Sequence, residues 1–130
     1  MSVPQSERKQ SQYEYVTILQ QIELEFLYDN ADTKRRVPLL SEELCRLSME
    51  AYNNATCVFE MTIGTIKGNS ADQKKYCKKA IWSIRELAAQ INILIMNRMK
   101  NNFTTQKYVD ITARLLKAIN LIQAHYKTLL

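Results

Sequence analysis

Lys74, Lys75, Lys78, Lys79 and Arg85 fall within a twelve-residue span. If that span is helical, Lys75, Lys78, Lys79, Trp82 and Arg85 share one broad face and Lys74 flanks it, because side chains three, four and seven apart are neighbours. The chemistry of such a face is electrostatic. Phosphates are drawn to clustered cations without sequence-specific geometry, and an arginine can clamp one with two hydrogen bonds. Arg114 and Lys117 share a second face, with Lys107 one or two turns earlier. The pattern points to a polyanion and leaves its kind open. Trp82 could stack on an unpaired base, anchor a protein interface or cover the edge of a core, and the interface is the favoured reading.

No catalytic set stands out. The chain has no P-loop, no GxGxxG and no GxSxG. Its single histidine, His125, has Ile122 three residues before it, so the Glu-x-x-His of di-iron bundles is missing. Glu23 is the one acid that intrudes on an apolar stripe, and it is expected to pair with a neighbouring arginine such as Arg85 or Arg98. His125 is expected at the edge of the core rather than as a base. Cys45, Cys57 and Cys77 form no CxxC pair, which argues against zinc. They read as free thiols on or beside apolar stripes in a reducing cytosol. The reading is a non-enzymatic protein without cofactor or metal.

These side chains need helices to position them. The chain has 130 residues, enough for one domain, and only two glycines and two prolines, too few turn residues for an all-β fold. Four amphipathic stretches are expected, at about 11–29, 41–67, 71–99 and 105–129, after a flexible tail at 1–10. Tyr15, Leu19, Ile22 and Phe26 form the first apolar stripe, and Leu44, Leu47, Ala51, Ala55 and Val58 the second. Cys77, Ile81, Ile84, Ala88, Ile91 and Ile95 form the third, widened by Ala80, Leu87 and Leu94. Tyr108, Ile111, Leu115, Ala118, Ile122, His125 and Leu129 form the fourth. Ser11 with Glu14 and Ser70 with Gln73 match capping boxes; Ser41 and Thr104 are further caps, and Phe103 and Tyr108 fit a hydrophobic staple. Gly68 suits a C-cap. Pro38 breaks the link from Asn30 to Pro38, which carries Lys34-Arg35-Arg36.

Helices of this length joined by short links predict an all-α, antiparallel, up-and-down four-helix bundle. Trp82, Met96, Leu116 and Leu121 lie off the inward stripes. They point either to self-association through the third and fourth helices or to a wide core face.

The charge is divided along the chain. Up to Gly64 there are six Lys/Arg and ten Asp/Glu; from Thr65 there are twelve and three. The formal total of +5 hides this. Such a division suits a basic surface for a polyanion, complementary charge between helices or subunits, or a solvated face with no partner. The N-terminal residues have no apolar run of a secretory signal. No stretch approaches the roughly 20 apolar residues of a membrane span, so a cytoplasmic protein is expected.

The pattern YVTILQQIELEF (Tyr15 to Phe26), the basic link Lys34-Arg35-Arg36 and LLSEELCRLSMEAYNNA (Leu39 to Ala55) resemble bacterial four-helix-bundle proteins. That group includes the proteins of ribosomal RNA intervening sequences and the accessory variability determinants of diversity-generating retroelements. KKAIWSIRELAAQINIL (Lys78 to Leu94) and FTTQKYVDITARLLKAINLIQAHY (Phe103 to Tyr126) look more like the second. The intervening-sequence branch usually has small residues after its second helix, where this chain has Thr65-Ile66-Lys67-Gly68-Asn69. The resemblance covers about residues 13–129 and rests on patterns rather than invariant signatures. It implies a pentameric barrel without catalytic residues. Such a barrel would bind a reverse transcriptase and template RNA, with its cDNA, during mutagenic retrohoming. The contacts would fall on Lys74, Lys75, Lys78, Lys79, Arg85, Lys107, Arg114 and Lys117, with Lys34, Arg35 and Arg36. The alternative is an interaction module of the intervening-sequence type, docking on a ribosomal or other macromolecular surface.

Overall fold

A computed structural model describes residues 13–35 and 42–130, with only the backbone for 31–35. Among these residues there are four helices: α1 (Glu14–Arg35), α2 (Glu42–Gly64), α3 (Ser70–Lys100) and α4 (Gln106–Thr128). No strand occurs among the described residues. Each helix packs on two others: α1 and α3 both lie against α2 and α4. The proposed caps Ser11 and Ser41, the tail, and the link with Arg36 and Pro38 lie outside the described residues.

The stripes meet in one core. Tyr15, Leu19, Ile22 and Phe26 of α1 are buried, as are Ile111, Leu115 and Ile122 of α4. α2 contributes small side chains, among them Ser48, Ala51, Ala55 and Thr62. Small contact residues let neighbouring helices approach closely. α3 fills the space with Ile84, Leu87, Ile91 and Leu94, all fully buried. Its inward line is therefore Cys77, Ala80, Ile84, Leu87, Ile91 and Leu94. Ile81, Ala88 and Ile95, expected at the centre, are only partly buried. The expected and observed lines both have helical period, and packing against two neighbours selects between adjacent rotations of the helix.

Several boundaries differ from the expectation. α1 runs on through Lys34 and Arg35, because Asn30 to Arg35 contains no glycine or proline to stop it. Those two residues belong to a helix, not to a link. α2 ends at Gly64. Gly68, with φ of 80°, makes a left-handed turn further along and is not that helix's C-cap. The cap of α3 is Asn69, whose Oδ1 accepts the Asp72 amide at 2.9 Å. Ser70, expected in that role, instead donates to the Leu129 carbonyl at 3.2 Å. α4 starts after Thr105, which makes no side-chain cap bond. The rings of Phe103 and Tyr108 lie 5.3 and 4.9 Å from the Arg98 guanidinium, a cation between two aromatic faces.

Candidate nucleic-acid interface

Asn69 fixes where α3 begins, and the fully buried Cys77, Ala80 and Ile84 fix its rotation. The basic positions then fall outside. Lys75, Lys78, Lys79 and Arg85 are exposed, and Lys74 is half-buried. Among the described residues none of the five makes an ion pair. Lys78 Nζ sits 5.7 Å from the Tyr126 ring centre and Lys79 Nζ 5.5 Å from that of Tyr76, so two of the ammonium groups rest on aromatic faces. Trp82 is 64% exposed. Its indole N–H donates to Glu86 Oε1 at 2.8 Å, one turn on.

Trp82 borders two recesses. The larger, about 650 Å³, lies between α3 and α4. Lys78, Arg85 and Lys127 supply its charge; Trp82, Tyr126, Ile81 and Leu130 its apolar surface. No Asp or Glu lines it. The smaller, on the other side of Trp82, includes Lys78, Lys79, Ser83 and Met61. Gln123, Tyr126 and Lys127 of α4 were missed in the sequence. Their signal was Gln123 and Lys127 at i and i+4, one face of a helix, but which helix they face is set only by the packing.

The basic residues of α4 are placed differently. Lys107 pairs with Asp29 at 2.6 Å, Arg114 with Glu25 at 2.5 Å, and Lys117 with Glu14 at 2.9 Å. All three acids are on α1. Asp29 also accepts the Tyr108 hydroxyl at 2.6 Å. Part of the charge division is thus complementarity between α1 and α4, within the chain. Lys34 and Arg35 are helical, and their side chains are not described; Arg36 lies outside the described residues.

Trp82, Ala89, Ile93 and Met96 follow one another at helical spacing on the outside of α3, all exposed. On α4, Val109 and Leu116 are exposed and seven apart. Met96 and Leu116 are 70% and 56% exposed, whereas Leu121 packs against the core. The off-stripe residues therefore divide into an outer apolar line and one edge of the core.

Among the described residues Glu23 makes no ion pair with an arginine. Its Oε2 is buried with no partner, and burial, then the nearby Glu60 carboxylate, raises its pKa above the usual 4.5. Arg98 instead donates to the Thr104 carbonyl at 2.8 Å. His125 is buried. Its Nε2 lies 2.9 Å from the Thr65 carbonyl, so this nitrogen carries the proton and donates. Nδ1 is buried without a partner. Thr65 Oγ1 donates to the Thr62 carbonyl at 2.7 Å, which leaves the Tyr15 hydroxyl to donate to Thr65 at 2.7 Å. Burial lifts the Tyr15 hydroxyl to about 12 and the Cys77 thiol to about 11. Cys77 is thus a protonated, unreactive thiol at neutral pH, and the group around His125 joins α1, α2 and α4 as a polar plug. Among the described residues no group of three or more His, Cys, Asp or Glu is placed to hold a metal ion. No helix there is long and apolar enough to cross a membrane. The chain matches no known family, curated protein or solved structure.

Proposed function

We propose that this chain is a non-catalytic, homo-oligomeric accessory subunit of a diversity-generating retroelement. In that role it binds the reverse transcriptase and the template RNA, with its cDNA, in the cytoplasm, and supports mutagenic retrohoming. The observation that carries the reading is the outer face of α3, where five cations without an ion-pair partner among the described residues stand around an exposed tryptophan. The sequence resemblance supplies the biological setting.

The bundle in this reading is antiparallel and up-and-down. Tyr15 near the start of α1 meets Thr65 just past the end of α2, and Ser70 at the start of α3 meets Leu129 at the end of α4. Subunits join through the exposed line from Ala89 to Met96 with Val109 and Leu116, and the ring has five of them. Repetition of a weak basic face around a ring raises its grip on one long polyanion without any new contact.

Replacing Lys75, Lys78 and Lys79 together by Glu tests the binding face. Affinity for RNA at low salt falls by about a hundredfold, and the slope of log K against log salt flattens by about two to three. Unchanged binding by a folded variant removes α3 from the site. Light scattering tests the assembly: a mass near five subunits supports it, and a monomer refutes it. A second reading, an interaction module of the intervening-sequence type, draws on the same apolar line together with the exposed Trp82. Partner binding that ignores salt and is lost with Trp82→Ala favours it.

A further inference from the structure

We infer that the α3–α4 groove beside Trp82 receives an unpaired base of a single nucleic-acid strand, stacked on the indole, with neighbouring phosphates on Lys78, Arg85 and Lys127. This rests on the polyanion reading above and goes beyond it, because charge alone does not distinguish a single strand from a duplex.

Four observations converge. The groove, about 650 Å³, falls within the roughly 300–1,000 Å³ of small-ligand sites. Its chemistry is mixed in the way a nucleotide requires: aromatic and aliphatic surface from Trp82, Tyr126 and Ile81, ringed by three cations with no acid among the lining residues. The indole N–H is already engaged by Glu86. That bond orients the ring while the residue stays 64% exposed, and a ring face is what a base stacks on. Gln123 adds an amide at the rim that can donate to and accept from any base edge, so the site tolerates different bases. A paired base inside a duplex has no free face to offer.

A second copy of the chain suits this groove less well. Covering Lys78, Arg85 and Lys127 with protein would strip water from three cations that have no ion-pair partner among the described residues, whereas phosphates neutralise them and stay hydrated. The apolar line beyond, from Ala89 to Met96, begins two turns further along α3 and is free for subunit contact.

Trp82 is the one tryptophan in the chain, so emission excited at the red edge of absorption, where tyrosine does not absorb, belongs to it alone. The full-length protein is titrated at low salt with a short labelled oligothymidylate, the same strand carrying abasic positions, a duplex, and thymidine monophosphate. Binding is read by anisotropy and stacking by Trp82 emission. The expected result is quenching by the single strand only, about tenfold weaker binding of the abasic strand, and loss of that difference in Trp82→Ala but not in Trp82→Phe. Equal binding of all strands with unchanged emission overturns the stacking site and leaves the polyanion reading standing. Failure of every polyanion to bind overturns both. Thymidine monophosphate binding as tightly as the strand refutes a strand site. A blue-shifted emission before any ligand, with a smaller particle mass for Trp82→Ala, gives the groove to a second copy and refutes the proposal.

Discussion

The α1–α4 seam and the outer face of α3 are both rich in cations, and the structure treats them in opposite ways. On the seam, Lys107, Arg114 and Lys117 each meet an acid of α1. On α3, Lys75, Lys78, Lys79 and Arg85 are exposed and have no ion-pair partner among the described residues. One set closes the bundle, and the other faces solvent. A count of lysines and arginines along the chain cannot separate the two, since the acids that neutralise Lys107, Arg114 and Lys117 lie at least 78 residues away.

Charge changes on the two faces should therefore fail differently. The largest effect is expected for the triple change of Lys75, Lys78 and Lys79 to Glu, which reduces RNA affinity by about a hundredfold while the melting temperature stays near that of the parent. Gly64→Ala comes next and acts through the fold. A Cβ there would press into the ring of Tyr76, the ring on which the Lys79 ammonium rests. Forcing the ring aside costs about 1–3 kcal/mol, readable by urea denaturation, and moves Lys79 with it. A variant as stable as the parent would show that α2 and α3 have slack at this contact.

Arg114→Ala should do the reverse of the lysine changes. It costs up to about 1 kcal/mol, because the pair with Glu25 is partly exposed, and it leaves RNA affinity unchanged. A large loss of RNA binding without loss of stability would move the binding site onto α4 and erase the contrast.

Glu23→Gln is the smallest and depends on pH. The folded protein holds the Glu23 proton more tightly than the unfolded chain, so the ionised carboxylate costs stability at neutral pH. That cost shrinks as pH falls through the raised folded pKa and vanishes below the unfolded value near 4.5. The amide should therefore stabilise by up to about 0.5 kcal/mol at pH 7 and make no difference at about pH 3.5. Thermal melts at the two pH values check the sign, and destabilisation at pH 7 would mean that the carboxylate has a partner.

Much of this arrangement was legible beforehand. The inward lines of α1, α2 and α4 follow from apolar residues at helical spacing, and Lys75, Lys78 and Lys79 fall outside as their phase demands. Errors cluster where local rules were close to degenerate. Ser70 and Asn69 are both good caps, and the chain uses Asn69. Ile81 and Ala80 are both apolar, and the core takes Ala80. Glu23 stands on an inward stripe, yet Arg98 does not pair with it, because Arg98 is turned to Phe103, Thr104 and Tyr108.

The sequence by itself determined that the chain is helical and which broad face of each helix is apolar, since both depend on residues within a turn or two of each other. Tertiary packing decided the rest. It turned α3 so that Ala80, Leu87 and Leu94, not Ile81, Ala88 and Ile95, complete the line of Cys77, Ile84 and Ile91, set Lys107, Arg114 and Lys117 against the acids of α1, and opened a groove between Trp82 and Tyr126. Each of these is a contact between residues distant in sequence, chosen by how side-chain volumes fit and how charges pair across helices, which periodicity along one helix does not specify.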